Sequence, residues 1–226
     1  MELIILSGGQ GTRIKSVLPN LPKPMAPILG RPFLEYIFDH LSVSRINHVH
    51  MAIGHLGHKI EQHFGGIYKN IQLTYSKEET PLGTGGAVVQ AARSIDDEFF
   101  IVMNGDSYLD FNIDELLSRF SKKNENMIVV AWAPDVSRYG KVEFDDHIKS
   151  FSEKGETGPG YINTGIYLLN KNIFKDVVDE VFSLEQHLMK SIHDCDYTPY
   201  VVDASFIDIG TLKDLARAEQ FFSSYS

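Results

Sequence analysis

Residues 3–6 form a short uninterrupted apolar run that stops at Ser7-Gly8-Gly9-Gln10-Gly11-Thr12-Arg13. Such a run, bounded by glycines, predicts a buried strand entering a tight loop. Pro19, Pro22, Pro24 and Pro27 then predict extended chain through residue 31, because each lacks an amide donor and restricts the residue before it. Pro32 suits the first turn of a helix, and Phe33, Ile37 and Leu41 follow along one stripe. The alternation continues with a strand over 46–53, a helix over 55–64 stopped by Gly65-Gly66, and a strand over 71–75. A second glycine loop, Pro81-Leu82-Gly83-Thr84-Gly85-Gly86, leads into a helix predicted over 87–92. A buried strand over 99–103 ends in Asn104-Gly105-Asp106. Asn112 and Glu115 have the spacing of a capping box ahead of the stripe Ile113, Leu116, Leu117 and Phe120. A strand over 127–133 follows, with Trp132 expected in the core.

Beyond residue 135 the rhythm changes. Strands at 140–144, 148–152 and 161–169 come in quick succession, with a hairpin tip at Asp145-Asp146 and a flexible connection at 155–160. Helices are predicted at 171–179 and 184–193, and short strands at 200–202 and 205–209. Thr211 with Asp214 caps a last helix whose apolar positions include Leu212, Leu215, Ala218 and Phe222. The whole is an α/β protein, a three-layer α/β/α sandwich with a mainly parallel sheet in its first part. No linker, repeat or low-complexity stretch divides it, so 1–226 reads as a single domain with parts meeting near residue 135.

Composition narrows the function classes. At 226 residues and 43% hydrophobic, the chain can bury roughly 70% of its unfolded surface without a metal or disulfide staple. Its single cysteine, Cys195, excludes an internal disulfide and a cysteine zinc cluster, fits a reducing cytoplasmic setting, and is expected as a small buried hydrophobe. The net charge is -9 and the longest basic runs are pairs such as Lys122-Lys123, so no nucleic-acid partner is expected. No apolar run approaches the ~20 residues of a membrane span, and the N-terminus lacks the basic region of a signal peptide.

Three constellations carry candidate chemistry. The first is the glycine loop with Arg13 and Lys23, where backbone N–H groups and two cations would suit a polyphosphate. It is not a P-loop, which needs Gly-Lys-Ser/Thr, nor a dinucleotide fingerprint, since prolines replace the expected helix. The second is a pair of acids at strand ends, Asp106 and Asp208, either of which could hold Mg²⁺. The third is Glu153-Lys154 with Asn163-Thr164-Gly165, suited to a phosphorylated polar ligand. Taken singly, each also reads as a plain turn, a structural ion pair or a solvated strand end. His48 and His50 share a strand face, and His55, His58 and His63 lie nearby, but no acid or cysteine stands among them at ligand spacing. These histidines are expected to be satisfied or exposed.

Read together, the elements resemble the sugar-phosphate nucleotidyltransferase family over about residues 2–220. The resemblance rests on Leu6 to Arg13 with Leu21-Pro22-Lys23-Pro24, on Gly30-Arg31-Pro32-Phe33-Leu34, and on Glu78 with Pro81-Leu82-Gly83-Thr84. It continues through Asn104-Gly105-Asp106, Tyr139-Gly140, Phe151-Ser152-Glu153-Lys154, Tyr161 to Tyr167, and Phe206 to Thr211. The Arg13-to-Lys23 spacing is similar to the branch that guanylylates mannose and heptose phosphates. The resemblance implies a Rossmann-like, glycosyltransferase-A-like fold with a mixed central sheet. It implies transfer of a nucleotidyl group from a nucleoside triphosphate, GTP favoured, to a sugar 1-phosphate. Catalysis would fall to Arg13, Lys23, Asp106 and Asp208, the two acids holding Mg²⁺. Nucleotide contacts would come from Leu6, Gly8, Gly9, Gly11, Thr12, Arg13, Lys23, Glu78, Pro81, Gly83, Thr84, Asn104 and Asp106. Gly140, Glu153, Lys154, Asn163 and Thr164 would meet the sugar phosphate. Ser7 stands where alanine is common. Mannose, glucose or N-acetylmuramate 1-phosphate with GTP, UTP or CTP stays open, as do an inactive nucleotide-sugar sensor or partner subunit and a homo-oligomer. The product would be of the kind that feeds capsule, lipopolysaccharide or glycoprotein assembly.

Overall fold

The first apolar run becomes the strand around which the molecule is organised. The structure, a computed structural model, describes residues 1–9, 11, 13–14, 18–152, 155–178 and 180–224. In chain order the first part comprises β1 (Leu3–Ser7), β2 (Pro27–Ile28), β3 (Arg31–Pro32), α1 (Phe33–Ser42), β4 (His48–Ile53), α2 (Gly57–Phe64), β5 (Ile67–Tyr68), β6 (Ile71–Lys77), α3 (Gly83–Ala92), β7 (Phe99–Asn104), β8 (Ser107–Leu109), α4 (Ile113–Lys123) and β9 (Asn126–Ala133). The second part comprises β10 (Lys141–Phe144), β11 (Ile148–Phe151), β12 (Gly160–Asn170), α5 (Leu184–Ser191), β13 (Tyr197–Val202), β14 (Phe206–Asp208) and α6 (Leu212–Ser223).

The main sheet runs β11-β10-β12-β7-β1-β4-β6-β5, with β9 on β12 and β13 on β9. β1 is flanked by parallel β4 and β7, and β6 pairs parallel with β4. β12 is antiparallel to β7 on one side and to β9 on the other. The mainly parallel arrangement therefore holds only around β1, and the complete sheet is mixed. Alternation along each strand divides two cores. Leu3 and Ile5 face α1, α2, α4 and α6, whereas Ile4, with Phe100 and Tyr167, faces α3 and α5. The three layers follow from burying both faces of one sheet.

Several local expectations change in the folded chain. The proline segment contains one 3₁₀ turn at Lys23–Met25, closed by Met25 N–H donating to the Pro22 carbonyl at 2.8 Å. The helix after the second glycine loop starts at Gly83, so its glycines lie in the first helical turns. A Cβ at Gly85 would overlap the Phe182 ring, so this helix end packs against the segment before α5 only without a side chain there. The predicted 55–64 helix begins at Gly57, after Leu56 with φ 58°. The 171–179 helix is only a 3₁₀ turn, Lys171–Phe174, capped by the Asn170 side chain. Asn112 caps α4, but Glu115 accepts from the Asn112 side-chain amide at 3.3 Å instead of closing the backbone capping box.

Trp132 is 53% exposed, beyond the cover that buries Ile128 and Val130 on the same face of β9. In α6, Leu212 is 55% exposed and Asp214 is buried in its stead, because Arg138 reaches in to pair with that acid. Cys195 is half-buried against the α3/α5 core. Among the described residues, no helix is long and apolar enough to cross a membrane.

Candidate active site

A cavity of about 380 Å³ opens beyond the carboxyl ends of β1, β6 and β7. On one side of β1 the chain steps to β4 and then β6; on the other lies β7. The strand order reverses there, and backbone ends diverging at such a point leave room for a ligand. The cavity's size is that of a small-molecule site.

The structure brings together around it Leu6, Gly8, Gly9, Gly11, Arg13, Lys23, Glu78, Pro81, Gly83, Thr84, Asn104 and Asp106. Thr12, Glu153 and Lys154 lie outside the described residues. Lys23 Nζ stands 2.5 Å from Asp106 Oδ2, so a cation from the proline segment is fixed on the acid that ends the β7 turn. Gly8 sits close to Glu78: a Cβ there would meet the end of the Glu78 side chain, which lies against the loop backbone and would have to shift. Burial raises the Glu78 pKa, and the Leu82 N–H donated at 3.1 Å opposes that rise. Thr84 lines the cavity but directs its hydroxyl to Glu185 at 3.0 Å, tying α3 to α5. The Ser7 hydroxyl, also at the cavity, is buried without a hydrogen-bond partner. A buried polar atom left unpaired costs free energy, so a ligand atom there would be well matched.

Asp208 and the remaining positions lie off the cavity wall. β14 pairs with β8, placing Asp208 opposite Ser107 and Ile209 N–H on the Asp106 carbonyl at 3.1 Å. The two acids thus end adjacent paired segments. Asp208 accepts from Arg138 Nη2 at 3.1 Å and from the Tyr139 hydroxyl at 2.9 Å. Arg138 also clasps Asp214, with Nη2 on Oδ2 at 2.6 Å. Burial works to raise the Asp214 carboxyl, but bonds from Arg138 and Thr211 outweigh it and hold the group below the usual carboxylate range. Burial and the Asp208 charge both push the Tyr139 phenol up. Gly140 follows with φ 81°. Asn163 donates to the Tyr167 hydroxyl at 2.7 Å, and buried Thr164 donates to the Val129 carbonyl at 2.8 Å, so both side chains are engaged inward.

Sequence reasoning passed over Arg138, Ser7 and Gly210, the last of which also lines the cavity. The usable signal for Arg138 was electrostatic: two acids on apolar elements, Asp208 and Asp214, needed a counterion. It also missed that Glu2 comes beside His48 and His50, their ligand atoms all within 4.8 Å, a group able to hold a metal ion.

The sequence pattern of the nucleotidyl transferase family matches residues 2–224. The chain is 40% identical over 219 residues to the D-glycero-alpha-D-manno-heptose 1-phosphate guanylyltransferase of Campylobacter jejuni, covering 95% of this chain and 96% of that one. It is 38% identical to the enzyme of the same name from Aneurinibacillus thermoaerophilus, over the full length of both. The crystal structure of HddC from Yersinia pseudotuberculosis complexed with GMP-PN superposes with a TM-score of 0.87 at 33% identity, covering 98% of this chain and 99% of that one.

Proposed function

The chain belongs to the nucleotidyl transferase family, and from that premise we propose that it transfers GMP from GTP to D-glycero-α-D-manno-heptose 1-phosphate, releasing pyrophosphate. The observation that carries the reading is the cavity itself, which gathers the glycine loop, Arg13, Lys23, Glu78 and Asp106 at one strand-order reversal. The names of the two curated relatives support the choice of nucleotide and acceptor.

An oxygen of the sugar phosphate attacks the α-phosphorus in line. The bond from that phosphorus to the bridging oxygen breaks, and pyrophosphate leaves with the electron pair. No strong protein base is needed, since a phosphate monoester with its second pKa near ~6 is largely dianionic at neutral pH. The protein's task is to bring two polyanions together, which is positioning and electrostatics. Arg13 steadies the triphosphate and the departing pyrophosphate, and Lys23 bridges the reacting phosphates. Lys154 would take the sugar phosphate and Glu153 and Gly140 would contact the sugar, while Asn163 and Thr164, whose side chains are bonded within the protein, would meet it through their backbone. The backbone of Gly8, Gly9 and Gly11 approaches the phosphates, with Leu6, Thr12, Pro81, Gly83, Thr84 and Asn104 around the nucleotide. Glu78 reads the base, because a carboxylate accepts from guanine N1–H and N2–H together.

Asp106 and Asp208 would hold Mg²⁺. The donor set fits a hard cation in kind, two carboxylates at adjacent strand ends, whose present counter-cations Lys23 and Arg138 the ion would share or displace. When bound, the ion supplies charge neutralisation at the reacting phosphates. Apart from Gly210, the residues lining the cavity come from the part before about residue 135, and the proposed sugar-phosphate positions come from the part after it, in keeping with a single domain of two parts.

Pyrophosphate release, measured with Mg²⁺ across the NTPs plus dTTP and a panel of sugar 1-phosphates, tests the reading. GTP with the heptose 1-phosphate is expected to dominate. Dominance of another pair replaces the substrate, and silence across the panel overturns the enzymatic reading.

A further inference from the structure

The end of the sheet remote from the nucleotide cavity carries a group that the reaction does not use. Glu2 immediately precedes β1, and β1 pairs with β4 in a register that puts Glu2 beside His48 and one step from His50. Glu2 Oε1 lies 2.9 Å from His48 Nδ1 and 3.1 Å from His50 Nε2. On the far side of both rings stands the Thr74 hydroxyl of β6, 2.7 Å from His50 Nδ1 and 3.3 Å from His48 Nε2.

Counting protons shows what this arrangement lacks. An ionised Glu2 only accepts, so each of its two contacts requires a ring N–H. Two neutral imidazoles spend their single protons there. Both contacts to Thr74 would then need a proton from a hydroxyl that has only one. With Glu2 ionised and both rings neutral, the site therefore satisfies three of its four contacts. One further cation among the three ligands completes it. With a metal on His48 Nδ1, His50 Nε2 and Glu2, both remaining ring N–H groups donate to the two lone pairs of Thr74. That is the outer contact that usually orients ligating histidines. A proton is the competing cation: on His50, only 5% exposed, it would forfeit its hydration, so it would have to sit on His48, 24% exposed, where NMR of the ring distinguishes it from a metal.

We infer that Glu2, His48 and His50 bind a divalent transition metal of the Zn²⁺ class. Two imidazoles and one carboxylate are the donors such ions favour, whereas Mg²⁺ prefers oxygen alone. The Glu2 separations of 2.9 and 3.1 Å approach the roughly 3.4 Å edge of a tetrahedron of ligands about 2.1 Å from zinc. At about 3.3 Å per residue, Glu2 lies roughly 20 Å along β1 from Gly8, so the ion fastens the N-terminal residues to β4 and takes no part in phosphoryl transfer. The inference is independent of the substrate assignment.

The test uses the full chain stripped by a chelator, titrated with Zn²⁺ against a chromophoric competitor in millimolar Mg²⁺, which occupies oxygen-donor sites. One Zn²⁺ per chain is expected, with X-ray absorption showing two imidazole ligands and a melting temperature several degrees higher. His48→Gln and Glu2→Gln should weaken uptake at least tenfold while the circular dichroism spectrum and GTP turnover persist. Thr74→Val, which leaves all three ligands in place, should weaken it about 10–100-fold. Absence of stoichiometric Zn²⁺ uptake by the unaltered chain overturns the site, including the case where NMR finds a protonated histidine in its place. Uptake unchanged in both His48→Gln and Glu2→Gln overturns it equally.

Discussion

Replacing Asp214 by Asn tests whether the Arg138 network stabilises this fold. Asp214 is fully buried at the start of α6, accepts two bonds from Arg138, and takes a third from the Thr211 hydroxyl at 2.7 Å. Asn preserves shape, but its amide turns a donor toward a guanidinium that has only donors, and the buried end of Arg138 loses its negative partner. Breaking a fully buried pair costs about 3–5 kcal/mol. Arg138 is 38% exposed and also holds Asp208, so water and the second acid recover part of that loss. A charge-assisted hydrogen bond is worth about 1.5–3 kcal/mol, so the net cost should be about 2–3 kcal/mol. For a chain of this length that is about 4–12 °C in melting temperature.

The assay is thermal unfolding by circular dichroism, with and without the substitution, between pH 7 and pH 3. The folded Asp214 carboxyl titrates below its unfolded value near ~3.9, so the unfolded chain binds the proton more readily. Its stabilisation is therefore complete above about pH 4 and is lost as pH falls through the folded value. The gap between the two proteins should be full at pH 7 and shrink below pH 4. A melting temperature within 2 °C of the unaltered chain at pH 7, or a gap that does not narrow in acid, would show that the Asp214–Arg138 pair does not stabilise the fold.

Three further outcomes follow from other parts of the molecule. Gly85→Ala should destabilise by about 1–3 kcal/mol through overlap with Phe182, and adding Phe182→Ala should recover part of that; purely additive melting shifts would place the cause elsewhere. Trp132→Thr should change stability by no more than about 0.5 kcal/mol in urea unfolding, because the indole is exposed; a loss of 2 kcal/mol or more would mean that the ring is packed. Lys23→Met should lower kcat about 100–1000-fold in a pyrophosphate-release assay while the fold persists, since its ammonium sits on Asp106 at the cavity; near-normal turnover would remove Lys23 from the phosphate path.

Much of the architecture was readable along the chain. Strands bounded by glycine, such as Leu3–Ser7 and Phe99–Asn104, announce themselves because a strand buried on both faces needs continuous apolar residues. The stripe of Phe33, Ile37 and Leu41 marks α1 because one helical face meets the core. Element boundaries near glycine read poorly. Gly83, Gly85 and Gly86 look like a loop, yet the helix runs through them because close packing against Phe182 and Glu180 outweighs glycine's weak helix propensity. Trp132 misleads for a related reason: strand alternation identifies its face but not how far the covering helices extend along it.

The order of apolar runs and stripes along the chain already implied helices on both faces of one sheet, and with them the glycine loop. The sequence also marked Arg13, Lys23 and Asp106 as candidates for phosphate and metal binding, because backbone freedom, charge and strand-end position are local properties, whereas Glu78 stood out only through the family resemblance. That β12 enters antiparallel between β7 and β9 emerges only on folding, since pairing depends on contacts distant in sequence. Folding alone joined Arg138 to Asp208 and Asp214, and Glu2 to His48 and His50. Side chains on neighbouring strands meet through register, and register is set by which strands become neighbours rather than by the spacing of residues along the chain.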